Sequence, residues 1–313
     1  NIDILFIAST PPTQGGMGAL VKKIKKIPMI YNLQDIFPDS LVASDLTRKG
    51  SLLWKIGRKI ENFTYKNADK IIVISEGFKK NIMEKGVPES KIEVIYNWVD
   101  ENEVIAVERN SNILFERYNL DKNKFYVTYN GNIGLTQNMD LLLDVAEMFR
   151  DNPAIQFVIM GEGVYKKEVE HKLTTQKVEN VTLLPFQPYK EISHVFSLGD
   201  VGLVISKENV GQNSVPSKTW SIMSAARPVL ASFDENSELQ EIIEKNKTGL
   251  FVKAGEKEAL YKAILELYNN PQQRKEMGQN GRVFILKNLT REIGTSKYVE
   301  VIKSVVQEHQ SKV

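Results

Sequence analysis

The sequence predicts an α/β fold made of two blocks of parallel sheet covered by helices. Ten apolar runs of four to seven residues alternate with helix-length amphipathic segments. The runs are largely apolar throughout instead of alternating with polar residues, the pattern of strands buried on both faces. A length of 313 residues suits two ordinary domains.

Taken in order, the strand runs fall at 4–8, 29–32, 71–74 and 92–96, then at 125–129, 155–160, 181–184, 201–205, 228–231 and 249–252. Helices are expected near 17–26, 50–67 and 76–85, then near 137–150, 164–173, 189–198, 217–226, 236–245, 255–269 and 271–285. Strands joined by helices become parallel neighbours, because each helix carries the chain back along the sheet. Ser75 and Glu76 follow run 71–74 as a helix cap and a first-turn acid. Ser217, after Pro216, is the expected N-cap of helix 217–226, and Arg227-Pro228 ends it. Small residues at Ser221, Ser224, Ala225 and Ala226 let that helix lie close to a neighbour. Residues 100–124 are polar, with one short helix-like piece at 113–118, and read as an interdomain linker. A last helix at 291–307 is expected to pack back on the first block. The expected domains are 1–110, 111–287 and 288–313. Asn1 is not a methionine and a strand opens the chain at once, so the first domain reads as truncated.

Composition narrows the chemistry. Hydrophobic residues make up 42% and charged residues 26%, as in soluble globular proteins. The balance of 41 basic against 39 acidic residues gives no bulk attraction to nucleic acid. Zero cysteines exclude disulfides and thiolate metal sites, and suit a reducing, cytoplasmic setting. Three widely spaced histidines argue against a histidine-rich metal site, and no metal or other cofactor is expected. No apolar run reaches the roughly 18 residues of a membrane span.

Candidate site residues lie just after strand runs, where open α/β sheets bind ligands. Gly131, Asn132 and Gly134 follow run 125–129, and glycines there allow a tight turn and close approach of a phosphate. The same spacing also serves a plain chain reversal, and it is not the dinucleotide fingerprint. Gly161, Glu162 and Gly163 follow run 155–160, with Glu162 a helix cap or a sugar contact. Phe186 is an apolar wall for a base or a core residue. Lys218, one residue past Ser217, stands where free backbone N–H groups favour an anion. Glu238 is a ribose ligand or a first-turn acid. In the first block, Asp35 and Asp39 are acceptor-side carboxylates or turn and cap residues. Lys22, Lys23, Lys25 and Lys26 share a short helix with Leu20, Val21 and Ile24. They form either a solvated face or an interfacial helix touching anionic lipid.

Several motifs resemble those of a retaining glycosyltransferase of GT-B architecture in family 4. The likeness extends to the bacterial branch with L-fucosamine transferases and colanic-acid or capsule glycosyltransferases. The matching pieces are Ser9-Thr10-Pro11-Pro12, Gln34 to Ser40, Ala68 to Ser75, Ile95 to Asp100, Tyr129 to Gly134, Gly161-Glu162-Gly163, Pro216-Ser217-Lys218 with Arg227-Pro228-Val229, and Gly249 to Val252. The resemblance implies two Rossmann-like domains facing a cleft, with a nucleotide-sugar, commonly a UDP-sugar, on the C-terminal domain and the acceptor on the N-terminal one. It implies that Gly131 to Gly134, Ser217 and Lys218 face the diphosphate, Phe186 the base and Glu238 the ribose. Gln34, Asp35, Asp39 and Ser75 fall on the acceptor side, with Asp35 and Lys218 as catalytic groups.

The chain departs from the wider family at three places. Asn213 and Ser221 replace two glutamates, Leu135-Thr136-Gln137 replaces a basic pair, and Gln34 replaces a histidine. The expected reaction is transfer of a sugar to a glycan or polyprenyl-linked acceptor of surface polysaccharide, at the inner face of the cytoplasmic membrane. The alternatives are a non-catalytic sugar-nucleotide-binding or assembly subunit and a UDP-sugar 2-epimerase-like enzyme. An epimerase would bring more carboxylates and histidines together than this chain offers.

Overall fold

The computed structural model describes residues 2–43, 46–211 and 215–311. The chain divides into unit 1, Asn1–Asn97 with Glu292–Val313, and unit 2, Trp98–Arg291.

Unit 1 runs β1 (Leu5–Ala8), α1 (Thr13–Lys25), β2 (Met29–Leu33), α2 (Asp39–Ala43), α3 (Leu52–Asn67), β3 (Lys70–Val73), α4 (Glu76–Glu84) and β4 (Ile92–Val94). The strands pair in parallel in the order β1-β2-β3-β4. Strand periodicity divides β2 between two layers. Met29, Tyr31 and Leu33 pack with Ala19 of α1, Tyr65 of α3 and Phe78 of α4. The five-residue α2 was not anticipated from the sequence.

One charged cluster ties α3 to the end of α4. Glu61 of α3 is buried and paired with Arg58, while Lys85 Nζ reaches its Oε1 at 3.0 Å. The Tyr65 hydroxyl donates to the same oxygen at 2.6 Å. Burial and the Glu61 charge together push the Tyr65 pKa up. Glu61→Ala takes the carboxylate from Arg58 and leaves Lys85 with Asp39 alone, and is expected to cost about 3–5 kcal/mol in urea unfolding. A loss below about 1 kcal/mol would show that water already screens the cluster.

Unit 2 runs α5 (Ile113–Arg117), β5 (Phe125–Asn130), α6 (Met139–Glu147), β6 (Ile155–Met160), α7 (Lys166–Gln176), β7 (Val181–Leu184), α8 (Ile192–Phe196), β8 (Val201–Ile205), α9 (Lys218–Ser224), β9 (Val229–Phe233), α10 (Glu238–Asn246), β10 (Gly249–Lys253), α11 (Lys257–Asn269) and α12 (Pro271–Asn288). Its sheet is parallel throughout, in the order β10-β9-β8-β5-β6-β7. All six residues of β5 and all five of β8 are buried, as their unbroken apolar runs require. The chain order turns at the β8/β5 pair, which places a topological switch point there.

The segment read as a linker is fastened to unit 2 instead. The backbone N–H groups of Ile105 and Val107 donate to Ser193 and Ser197 hydroxyls, each at 2.9 Å. Arg282 donates to the carbonyls of Glu101 and Val104, at 2.8 and 3.1 Å. Arg109 pairs with Asp200 at 2.5 Å. Polar residues here satisfy a strap's backbone rather than solvate a hinge. The unit boundary therefore falls at Asn97/Trp98, ahead of the expected 110/111.

The last helix, α13 (Arg291–Gln310), closes the second face of the unit 1 sheet. Its Tyr298, Val301, Ile302 and Val305 pack on Ile30 of β2, Ile72 of β3 and Ile95.

Candidate functional site

A pocket of about 520 Å³ opens in unit 2 at the carboxyl ends of β5 and β6. It lies beside the switch point, where doubly wound sheets bind ligands. Gly131, Asn132, Phe186, Ser217 and Lys218, all named from the sequence, line it.

The two glycine motifs form one structure. The β5–β6 ladder continues past the strand ends: Gly131 N–H donates to the Met160 carbonyl at 2.9 Å, and Ile133 N–H to Glu162 at 2.8 Å. Gly161 lies so close that a Cβ there would come within 1.8 Å of the Gly131 carbonyl oxygen. Gly131 itself has φ +128°, a conformation that favours glycine. The Gly134 N–H donates to Gln137 Oε1 at 3.1 Å. Three loop N–H groups are thus spent inside the protein, so the expectation of a backbone phosphate cradle needs correction. Gly161 and Gly163 serve loop packing, and neither they nor Gly134 line the pocket.

The cation of the pocket is Lys218, the first residue of α9. Its Nζ lies 3.7 Å from the centroid of the Tyr129 ring. Gly131 makes room for it, since a Cβ there would stand 3.2 Å from Nζ. Tyr129 is fully buried and fixed by its hydroxyl, which donates to the Asn132 carbonyl at 2.5 Å. Among the described residues no carboxylate pairs with Lys218. The side chain keeps some solvent contact through the pocket, yet the protein crowding its ammonium pushes its pKa from 10.5 down to about 7. A cation held there without a counter-charge favours an anionic ligand.

Asn130 was missed in the sequence. Its Oδ1 is buried without a hydrogen-bond partner among the described residues, and the residue lines the pocket. The available signal was a lone amide ending an otherwise apolar strand. Phe186 is 67% exposed at the rim, which removes the core reading. Next to it, Gln187 is buried, held by the Tyr118 hydroxyl at 2.8 Å and by Arg117 at 2.9 Å.

Other expectations change. Ser217 is exposed and makes no side-chain capping bond. Glu162 is no cap, since Tyr165 holds that position; it pairs with Lys166 at 2.6 Å. Glu238 takes the first turn of α10, behind the capping Ser237, and does not line the pocket. Asn213 lies outside the described residues.

In unit 1, residues named from the sequence gather after β2 and β3. Buried Ser9 Oγ accepts the N–H groups of Gln34 and Asp35, at 3.0 and 3.3 Å. The Gln34 amide bridges Asn32 and Asn97, at 3.0 and 2.9 Å. Asp39 pairs with Lys85 at 2.6 Å. Ser75 is fully buried and caps α4 through the Phe78 N–H at 3.0 Å, a structural role that withdraws it from any acceptor. Asp35 stays exposed and accepts a bond from Ser40 at 3.0 Å. Of the lysines on α1, Lys22 pairs with Asp69 at 2.5 Å and Lys23 lies over the Phe63 ring, 4.9 Å from its centroid. Among the described residues, no three His, Asp or Glu groups converge on a metal position. No described helix is long and apolar enough to cross a membrane.

A family model described as glycosyl transferases group 1 matches residues 110–284, more than half of the chain. The chain belongs to that family. A second model, glycosyltransferase family 4, matches residues 1–103 of this glycosyltransferase. Among curated relatives, the probable glycosyltransferase WbjE of Pseudomonas aeruginosa is 24% identical over 276 residues, 88% of this chain and 68% of that protein. The putative colanic acid biosynthesis glycosyl transferase WcaI of Escherichia coli is 25% identical over 228 residues. That match covers 72% of this chain and 56% of WcaI. Anabaena HepE, solved in complex with UDP, superposes with a TM-score of 0.81 at 18% identity. The superposition covers 96% of this chain and 79% of that one. HepE has also been solved with UDP-glucose. The shared fold is GT-B, with its two parallel sheets.

Proposed function

We propose that the chain transfers a sugar from a UDP-sugar to a glycan or polyprenyl-linked acceptor of surface polysaccharide, with retention of anomeric configuration. The reading rests on Lys218, a cation without a carboxylate partner among the described residues, lodged between Tyr129 and Gly131 in the unit 2 pocket. Relatives support it, since HepE binds UDP and UDP-glucose and WcaI is named for colanic acid biosynthesis. Breaking the anomeric C–O bond leaves negative charge on the diphosphate. Lys218 stabilises that charge, and its desolvated seat strengthens the attraction. This compensation calls for no divalent metal. Asn130 and Asn132 orient the polar part of the donor, while Phe186 offers a face to the uracil. Asp35 is the exposed carboxylate on the acceptor side.

Calorimetric titration with UDP-glucose in the presence of EDTA tests donor binding. Saturable binding is expected, and a folded protein that takes up no UDP-glucose would end the UDP reading. The anomeric configuration of the product, read by proton NMR, decides retention. Phe186→Ala is expected to weaken UDP about tenfold, the scale of one base–aromatic stack, and to leave pyrophosphate binding unchanged. Equal loss for both ligands would take Phe186 off the base.

A further inference from the structure

The loop after β7 carries two large aromatic side chains that the protein leaves uncovered. Phe186 is 67% exposed and Tyr189 63%, and both line the same pocket as Lys218. Ile192 and Val195 of α8 add apolar wall to that pocket. A loop with so little buried apolar surface is ordinarily mobile. This one is tied down by polar groups instead.

The tie is Arg117, the last residue of α5. Its guanidinium forks on Glu191, Nη1 to Oε2 at 2.6 Å and Nη2 to Oε1 at 3.0 Å. Nη1 also donates to Gln187 Oε1 at 2.9 Å. Gln187 Nε2 in turn donates to the Tyr118 hydroxyl at 2.8 Å and to the Pro185 carbonyl at 2.5 Å. Both ends of the Gln187 amide are spent, so this buried side chain holds the loop and does not read a ligand. Pro185 and Pro188 fix φ on either side of Phe186 and Gln187. Isolated exposed ion pairs contribute little, but a bidentate arginine–carboxylate pair that also binds a buried amide is the favourable case. The clamp has a firm base too. Leu114 and Phe115 bury α5, and the Asn112 amide donates to the His194 carbonyl of α8 at 2.8 Å.

We propose that Arg117 is a positioning residue for the nucleoside end of the donor. Its three bonds hold the loop so that the Phe186 and Tyr189 rings stand in place before a base arrives. A preset platform avoids the ordering cost that a free loop would bear on binding. The inference rests on the reading of the pocket as a UDP site. Spacing gave no sign of the clamp, because Arg117 and Gln187 are 70 residues apart in the chain.

Calorimetric titration of the whole chain with UDP and with pyrophosphate tests the proposal. Arg117→Met is expected to weaken UDP about tenfold, the scale of ordering two aromatic side chains, and to leave pyrophosphate unchanged. Arg117→Lys keeps the charge but cannot fork, so it should behave like Arg117→Met. Phe186→Ala should cost only about threefold in the Arg117→Met background, because an unheld ring has less stacking to lose. Arg117 is half-buried and outside the core, so the circular dichroism spectrum should be unchanged. Glu191→Ala removes the other half of the fork and should show the same selective loss, which decides the matter where Arg117→Met does not fold. Equal loss of UDP and pyrophosphate, or an Arg117→Lys protein that binds like the parent, would make Arg117 a general attraction for phosphate and overturn the inference. Variants that melt earlier yet bind UDP like the parent would make the clamp structural alone and overturn it too, as would a Phe186→Ala cost undiminished in the Arg117→Met background. A parent that takes up no UDP would remove the base reading itself, and this inference with it.

Discussion

Lys218→Met is expected to weaken UDP-glucose binding about 100-fold or more and, below pH 7, to raise the melting temperature of the unligated protein. The two effects share one cause. The ammonium stands over the Tyr129 ring with no carboxylate partner among the described residues, so unligated protein bears the cost of a desolvated charge. Methionine fills similar space without that charge, and such exchanges of buried charge for apolar volume are often stabilising. With a diphosphate bound, the same ammonium would be paired in a poorly screened setting, where losing it costs about 2–5 kcal/mol. A variant that binds UDP-glucose like the parent would take Lys218 out of the donor site.

The pH dependence follows with a definite sign. In the unfolded chain Lys218 titrates near 10.5, and in the unligated fold near 7. Between these values the unfolded state holds the extra proton, so the destabilising contribution, full below pH 7, is relieved as pH rises toward 10.5. The stability advantage of Lys218→Met should therefore shrink over that window. Donor binding runs the other way, because the diphosphate needs the protonated amine. UDP-glucose is fully ionised throughout, so its affinity should be flat below pH 7 and fall up to tenfold per pH unit above it. Calorimetry at pH 8 in buffers of different ionisation enthalpy should register proton uptake. No uptake, with affinity constant from pH 6 to 9, would show that the amine is already charged before the donor arrives.

Much of the frame was legible in the sequence because burial leaves a one-dimensional trace. Each apolar run became a strand, and 155–160, 181–184 and 201–205 did so without a shift in bounds. What failed was polar sequence whose partners are distant in the chain. Residues 100–110 looked like a linker since nothing local reveals that Ser193, Ser197 and Arg282 will satisfy their backbone. The site divides the same way. Lys218 and Phe186, which line the pocket, were singled out from their positions after strand ends, while Asn130, the first residue past run 125–129, was passed over for the glycines that follow it. Ser75 caps its helix as its place after run 71–74 led one to expect, while the Gln34 amide is consumed by a bridge to Asn32 and Asn97 that nothing local reveals. Position in an α/β fold marks where a ligand lies; the direction a side chain takes depends on packing that spacing does not encode.

Gly161→Ala carries the second large effect, on fold and site together. Its methyl would need to share space with the Gly131 carbonyl oxygen, 1.8 Å away, and with the carbonyl carbon at 2.9 Å. Both are backbone atoms, so no rotamer change relieves the overlap. The loops must separate, which breaks the bonds from Gly131 N–H to Met160 and from Ile133 N–H to Glu162. A cost of about 3–5 kcal/mol in urea unfolding is expected. Any protein that still folds carries a displaced Gly131, and with it a displaced seat for Lys218, so UDP-glucose binding should be lost even where structure survives. Gly86→Ala provides the comparison. Gly86 has φ +87° and nothing within 4 Å of its missing Cβ, so only backbone strain of about 1–2 kcal/mol is expected there, with donor binding intact. If Gly161→Ala proves no worse than Gly86→Ala, the two glycine loops do not interlock, and the glycine would have to be explained by the ligand instead of by the fold.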